Sequence, residues 1–125
     1  MDYTTEQITS IEKVKKVFAE YMATLPDIDL IYSEKAGYVL LYGIKIDEER
    51  MAMDPIFIRD GRKLCDFLLY EIACEVLSEI GEFHDIHESD AEEKAIIKQA
   101  FEPYMVQLPE YAELIDKQFV NPWDK

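Results

Sequence analysis

Ile28-Asp29-Leu30-Ile31-Tyr32 and Tyr38-Val39-Leu40-Leu41-Tyr42-Gly43-Ile44-Lys45-Ile46 are two runs of branched and aromatic residues separated by Glu34-Lys35-Ala36-Gly37. Such runs favour extended backbone and the intervening residues favour a turn, so the segment reads as a β-hairpin. In the second run Tyr38, Leu40, Tyr42, Ile44 and Ile46 face one way, and Val39, Leu41, Gly43 and Lys45 the other. Both sets include apolar side chains, which predicts a central strand covered on at least part of each face. Gly43 marks a bulge or a close backbone approach. A third strand is expected within residues 50–59, around Ile56-Phe57-Ile58, and Pro55 suits an edge position because it has no N–H to donate.

Outward from the hairpin the spacing becomes helical. Ile8, Ile11, Val14, Phe18, Tyr21, Met22 and Leu25 recur at three and four residues, predicting an amphipathic helix over residues 5–25 that Pro26 ends. Thr4 and Gln7 have capping-box spacing. On the other side, residues 62–80 form a long core helix. Its glutamates occupy one arc, while Leu64, Phe67, Leu68, Leu69, Tyr70, Ile72, Val76, Leu77 and Ile80 cover most of the circumference. Gly81 suits its C-terminal stop. Ser89-x-x-Glu92 predicts a capping box opening a further helix that Pro103 kinks or ends, and Pro109 suits the first turn of a short last helix. The expected fold is α+β: an N-terminal helix, a three-stranded antiparallel meander, a long core helix, and two or three C-terminal helices packed on the sheet. At 125 residues this is read as a single domain, with residues 121–125 a loose tail.

Charge is the most informative non-structural feature. The formal net charge is −14, and residues 64–93 carry ten acidic side chains with no lysine or arginine, whereas residues 1–63 hold twelve acids and nine bases. Glu71, Glu75, Glu79 and Glu82 repeat at three- and four-residue spacing, where like charges repel by a few tenths of a kcal/mol per pair. With Asp85, Glu88, Asp90, Glu92 and Glu93 they define a candidate partner-binding ridge. Its field repels phosphate backbones, so direct nucleic-acid binding is not expected. A basic protein surface, including that of a nucleic-acid-processing enzyme, is the partner it fits. The competing explanation is a solvated helix face that keeps the protein in solution.

The only histidines, His84 and His87, lie in His84-Asp85-Ile86-His87-Glu88 and are candidate metal ligands. The spacing lacks His-Glu-x-x-His, and ordinary surface histidines are the favoured reading, so no metal or other cofactor is expected. Arg59-Asp60-Gly61-Arg62-Lys63 could hold an anion at a helix start, but isolated glycines favour an ordinary turn. Cys65 and Cys74 lie about 13 Å apart along one helix and should stay reduced. No nucleophile or acid–base pair stands out, so catalysis is not expected. The start of the chain is acidic and polar and the longest apolar run has seven residues, which predicts a cytoplasmic protein without a membrane span.

The expectation is therefore a non-catalytic acidic interaction module, such as an inhibitor, immunity or anti-defence protein that mimics nucleic acid. One alternative is a small metal-dependent protein or enzyme centred on His84 and His87. The order helix, three strands, helix over about residues 5–80 also resembles the first part of class I type III secretion chaperones, although predicted helices replace that family's further strand pair. The resemblance implies a dimeric chaperone-like or scaffold domain, and an uncovered sheet edge likewise invites a homodimer.

Overall fold

Three strands in the order β1-β2-β3 form an antiparallel meander: β1 (Ile28–Ser33), β2 (Gly37–Lys45) and β3 (Met51–Ile58). The computed structural model describes residues 2–123, with side chains omitted at 44 and 45. β2 is central, and β3, with Pro55, is an edge. The register aligns Leu30, Leu40 and Ile56 across the sheet and, one residue on, Ile31, Val39 and Phe57. The chain divides into two compact units, residues 1–64 and 65–125.

The first unit opens with α1 (Thr5–Val17) and α2 (Ala19–Ala23) where the hydrophobic spacing predicts one helix. The Thr4–Gln7 capping box forms as expected. The break falls at Phe18, which leaves helical geometry while its side chain is fully buried with Ile11 and Val14. The apolar spacing runs through the break without a Gly or Pro, so periodicity cannot reveal it. Tyr38 is buried on the sheet face of Leu40 and Ile58, and its hydroxyl donates to Glu12 Oε1 at 2.6 Å, which places α1 over that face. Burial and the Glu12 hydrogen bond push the Tyr38 phenol up to about 12. Tyr3 closes the end of the sheet: its hydroxyl donates to the Ile58 carbonyl at 2.7 Å and accepts from the Tyr38 N–H at 2.9 Å. Gly37 turns the hairpin at φ +75°, and a Cβ there would overlap the Tyr3 hydroxyl. Gly43 marks a close backbone approach, donating to the Asp27 carbonyl at 2.6 Å.

The opposite sheet face behaves differently. Val39 is buried, but Ile31, Met51, Met53 and Phe57 are each 39–50% exposed. Alternation along the strands puts these side chains on one side.

α3 (Gly61–Glu79) begins at the end of the first unit and continues into the second. It ends as expected at Gly81: φ is +80°, Glu82 N–H bonds the Leu77 carbonyl and Gly81 N–H that of Ser78, a Schellman closure. In the second unit Leu68, Leu69, Ile97, Phe101, Leu108 and Leu114 are fully buried. α4 (Ala91–Met105) lies against α3 through Cys65 and Met105, whose sulfurs are 3.8 Å apart. Asp66 of α3 accepts from Lys117 and Gln118 at α5 (Glu113–Lys117). Pro103 sits inside α4, which ends two residues later, and the last predicted helix divides into a 3₁₀ turn at Pro109–Tyr111 followed by α5.

One local expectation is corrected. The box that opens α4 is Asp90 with Glu93, not Ser89 with Glu92: Glu93 N–H bonds Asp90 Oδ1 at 2.8 Å, and Asp90 N–H bonds Glu93 Oε1 at 2.9 Å. A carboxylate is the stronger acceptor and complements the positive end of the helix. Ser89 instead closes the 3₁₀ turn Ile86–Glu88, and its buried hydroxyl has no hydrogen-bond partner among the described residues. Cys65 and Cys74 are free thiols, as expected. Trp123 is 84% exposed, and the last two residues of the predicted tail, Asp124 and Lys125, lie outside the described residues. Among the described residues no helix is long and apolar enough to cross a membrane.

Candidate functional site

The acidic stretch lies within the second unit and divides by local chemistry. Glu71, Glu75 and Glu79 follow one another along α3, the first half-buried and the other two exposed. Burial pushes the Glu71 carboxyl up, and the charge of Glu75 adds to the effect, so the two carboxylates are close enough to act on each other. Among the described residues no lysine or arginine forms an ion pair with Glu71 or Glu79, and Lys117, the cation that pairs with α3, meets Asp66. Burial also pushes the Cys74 thiol up, with Glu71 and Asp85 both contributing. The charge of Asp85 thus reaches Cys74 and Tyr70 on α3.

The segment that follows α3 is structured by its own carboxylates. Asp85 N–H points to Glu88 Oε1 at 3.4 Å across the 3₁₀ turn, and Asp90 and Glu93 cap α4. Glu82, Asp85, Glu88, Asp90 and Glu92 are exposed, whereas the Glu93 side chain is only 12% exposed. Glu93 turns inward because its second oxygen meets His84.

The two histidines separate. His84 Nε2 is 2.9 Å from Glu93 Oε2 and 3.9 Å from Glu82 Oε2, and His84 Nδ1 is 2.8 Å from the Asp85 carbonyl. The carbonyl can only accept, so Nδ1 carries a proton. The Asp85 carbonyl bond and then the Glu93 hydrogen bond push the imidazole up to about 9, which makes it an imidazolium bridging to Glu93 at neutral pH. His87 instead falls in a second group with Asp85 and Glu88. The three candidate ligand atoms of each group, Glu82–His84–Glu93 and Asp85–His87–Glu88, lie within 4.8 Å of one another. His-x-x-His spacing thus fails to unite the histidines, and the residue it missed as a partner for His84 is Glu93. Nine positions separate that pair, and only the reversal between α3 and α4 joins them.

The basic turn before α3 is internally occupied. Gly61 N–H donates to Ser10 Oγ at 2.8 Å and Lys63 N–H to Asp60 Oδ1 at 2.9 Å, so two amides an anion would need are already bonded. No family model, curated protein or solved structure matches this chain.

Proposed function

We infer that the chain is a non-catalytic interaction module whose acidic face, centred on Glu71, Glu75 and Glu79 and extended by Asp85, Glu88 and Glu92, engages a basic surface on another macromolecule. The observation carrying this reading is Glu71. A half-buried carboxylate with a like charge beside it opposes folding at neutral pH, and a neutral side chain would suit the helix better. Local features that disagree with stability concentrate at functional sites. Inhibitors and immunity or anti-defence proteins that occupy basic sites on nucleic-acid enzymes are the class of role this charge serves.

Capture from a host lysate at about 0.05 M and about 0.5 M salt, with mass-spectrometric identification, tests the reading. A basic protein should be retained by the wild-type chain only at low salt and lost by E71Q/E75Q/E79Q with its circular dichroism intact. Equal recovery by the triple variant, or recovery indifferent to salt, would refute the assignment.

The exposed sheet face supports a second reading, a homodimer formed through Ile31, Met51, Met53 and Phe57. Contiguous exposed apolar patches commonly mark association surfaces. Residues 1–63 are close to charge balance, so two copies meeting there avoid the repulsion that the region 64–93 would impose. Light scattering coupled to size exclusion should report a dimer that M53E/F57E converts to monomer. A wild-type monomer at high concentration would rule this out.

A further inference from the structure

Independently of the acidic helix face, we propose that Glu82, His84 and Glu93 form a binding site for one divalent transition-metal ion, with zinc as its natural probe. The arrangement is prepared in three ways. First, the Asp85 carbonyl holds Nδ1–H of His84 at 2.8 Å, which fixes the ring and directs Nε2 toward the carboxylates. An oriented ring of this kind, with its other nitrogen bonded to a carbonyl, is the usual outer support of a metal-binding histidine. Second, Glu93 is restrained from the far side: Asp90 N–H holds Oε1 at 2.9 Å, so Oε2 is the oxygen presented to His84. Third, Nε2 faces two acceptor-only groups at 2.9 and 3.9 Å. Neutral Nε2 would aim a lone pair at carboxylate oxygens, so the position needs a proton or a cation.

Zinc bonded to nitrogen and oxygen at about 2.0–2.2 Å in tetrahedral geometry separates its ligands by about 3.4 Å. The two distances from Nε2 bracket that value, and all three candidate ligand atoms lie within 4.8 Å of one another. One imidazole and two carboxylates leave a fourth position for water, and the nitrogen ligand favours a transition metal over calcium or magnesium. The cluster Asp85–His87–Glu88 has no comparable support: among the described residues no hydrogen bond orients the His87 ring, and both carboxylates are exposed.

The test is zinc chloride titrated into the chelator-treated full chain at about pH 8, where zinc must displace the imidazole proton and binding releases it to the buffer. One equivalent should bind, and the His84 ring signals in a ¹H–¹⁵N long-range spectrum should shift while those of His87 stay in place. H84A and E93Q should each weaken binding tenfold or more, whereas H87A should not. Gln at 93 keeps an acceptor for Asp90 N–H, so E93Q separates loss of a ligand from loss of the cap. Absence of uptake at roughly 100 µM free zinc would overturn the proposal. So would binding that H84A leaves unchanged, binding abolished by H87A, or calcium competing as strongly as zinc.

Discussion

Replacing Tyr3 with Phe should lower stability by about 2 kcal/mol, because one hydroxyl satisfies two backbone groups at the end of the sheet. Tyr38 and Ile58 are register partners in β2 and β3, and the Tyr3 oxygen bridges the N–H of one and the C=O of the other at 2.9 and 2.7 Å. Leaving a buried backbone group unsatisfied costs about 1–3 kcal/mol, and both bonds are only part-buried, so the lower end applies to each. The ring itself is retained, including its edge-on packing against Tyr38 at 5.6 Å between centroids, so Y3F isolates the oxygen. With an unfolding entropy of about 2.1 cal/mol/K per residue, a 2 kcal/mol loss lowers the melting temperature of a cooperatively unfolding chain of this length by about 8 °C. Urea unfolding followed by far-ultraviolet circular dichroism gives the free energy, and hydrogen exchange at the Tyr38 amide gives the local opening. Stability within about 0.5 kcal/mol of wild type would show that water replaces the hydroxyl and that the bridge is not a structural clamp. Loss of stability without faster Tyr38 exchange would refute the proposed location of the effect.

Gly37→Ala and Gly81→Ala should differ although both glycines have positive φ: about 1 kcal/mol for Gly81, where a Cβ meets nothing within 4 Å, and about 3 kcal/mol for Gly37, where it displaces Tyr3. Parallel urea titrations measure the gap, and equal losses would contradict it. Ser89→Ala should be neutral or stabilise by up to about 1 kcal/mol, since the buried hydroxyl has no partner among the described residues; a marked loss of melting temperature would reveal a bond the structure does not show. For Glu71 the folded-state carboxyl is raised above its ordinary value, first by burial and then by Glu75. Its favourable contribution is present below the unfolded value and is lost as pH rises through the folded one. E71Q should therefore be more stable than wild type at about pH 7, by a few tenths of a kcal/mol, with the difference vanishing near pH 3. A less stable E71Q at neutral pH would remove the strain on which the proposed interaction surface rests.

Elements whose cause is local were legible in the residues. Runs of branched and aromatic residues identified β1 and β2 and placed β3 within residues 50–59, Pro55 marked an edge, helical spacing located α1 and α3, a capping-box pattern announced α4, and Thr4–Gln7 and Gly81 marked helix ends. Each signal involves residues within one or two turns of one another, where chain geometry alone brings side chains together. The acidic run along α3 was visible for the same reason. The break at Phe18 was not, because its burial follows the same apolar spacing that an unbroken helix would show. The choice of Asp90 over Ser89 as the cap depended on where the preceding 3₁₀ turn ended. Tyr3 is separated from Tyr38 by thirty-five residues and His84 from Glu93 by nine, so their meeting follows from chain reversals that periodicity does not encode. Sequence by itself determined the order and type of elements and where negative charge accumulates. Only the tertiary structure decided which polar groups find one another, because hydrogen-bond partners are chosen by distance in space.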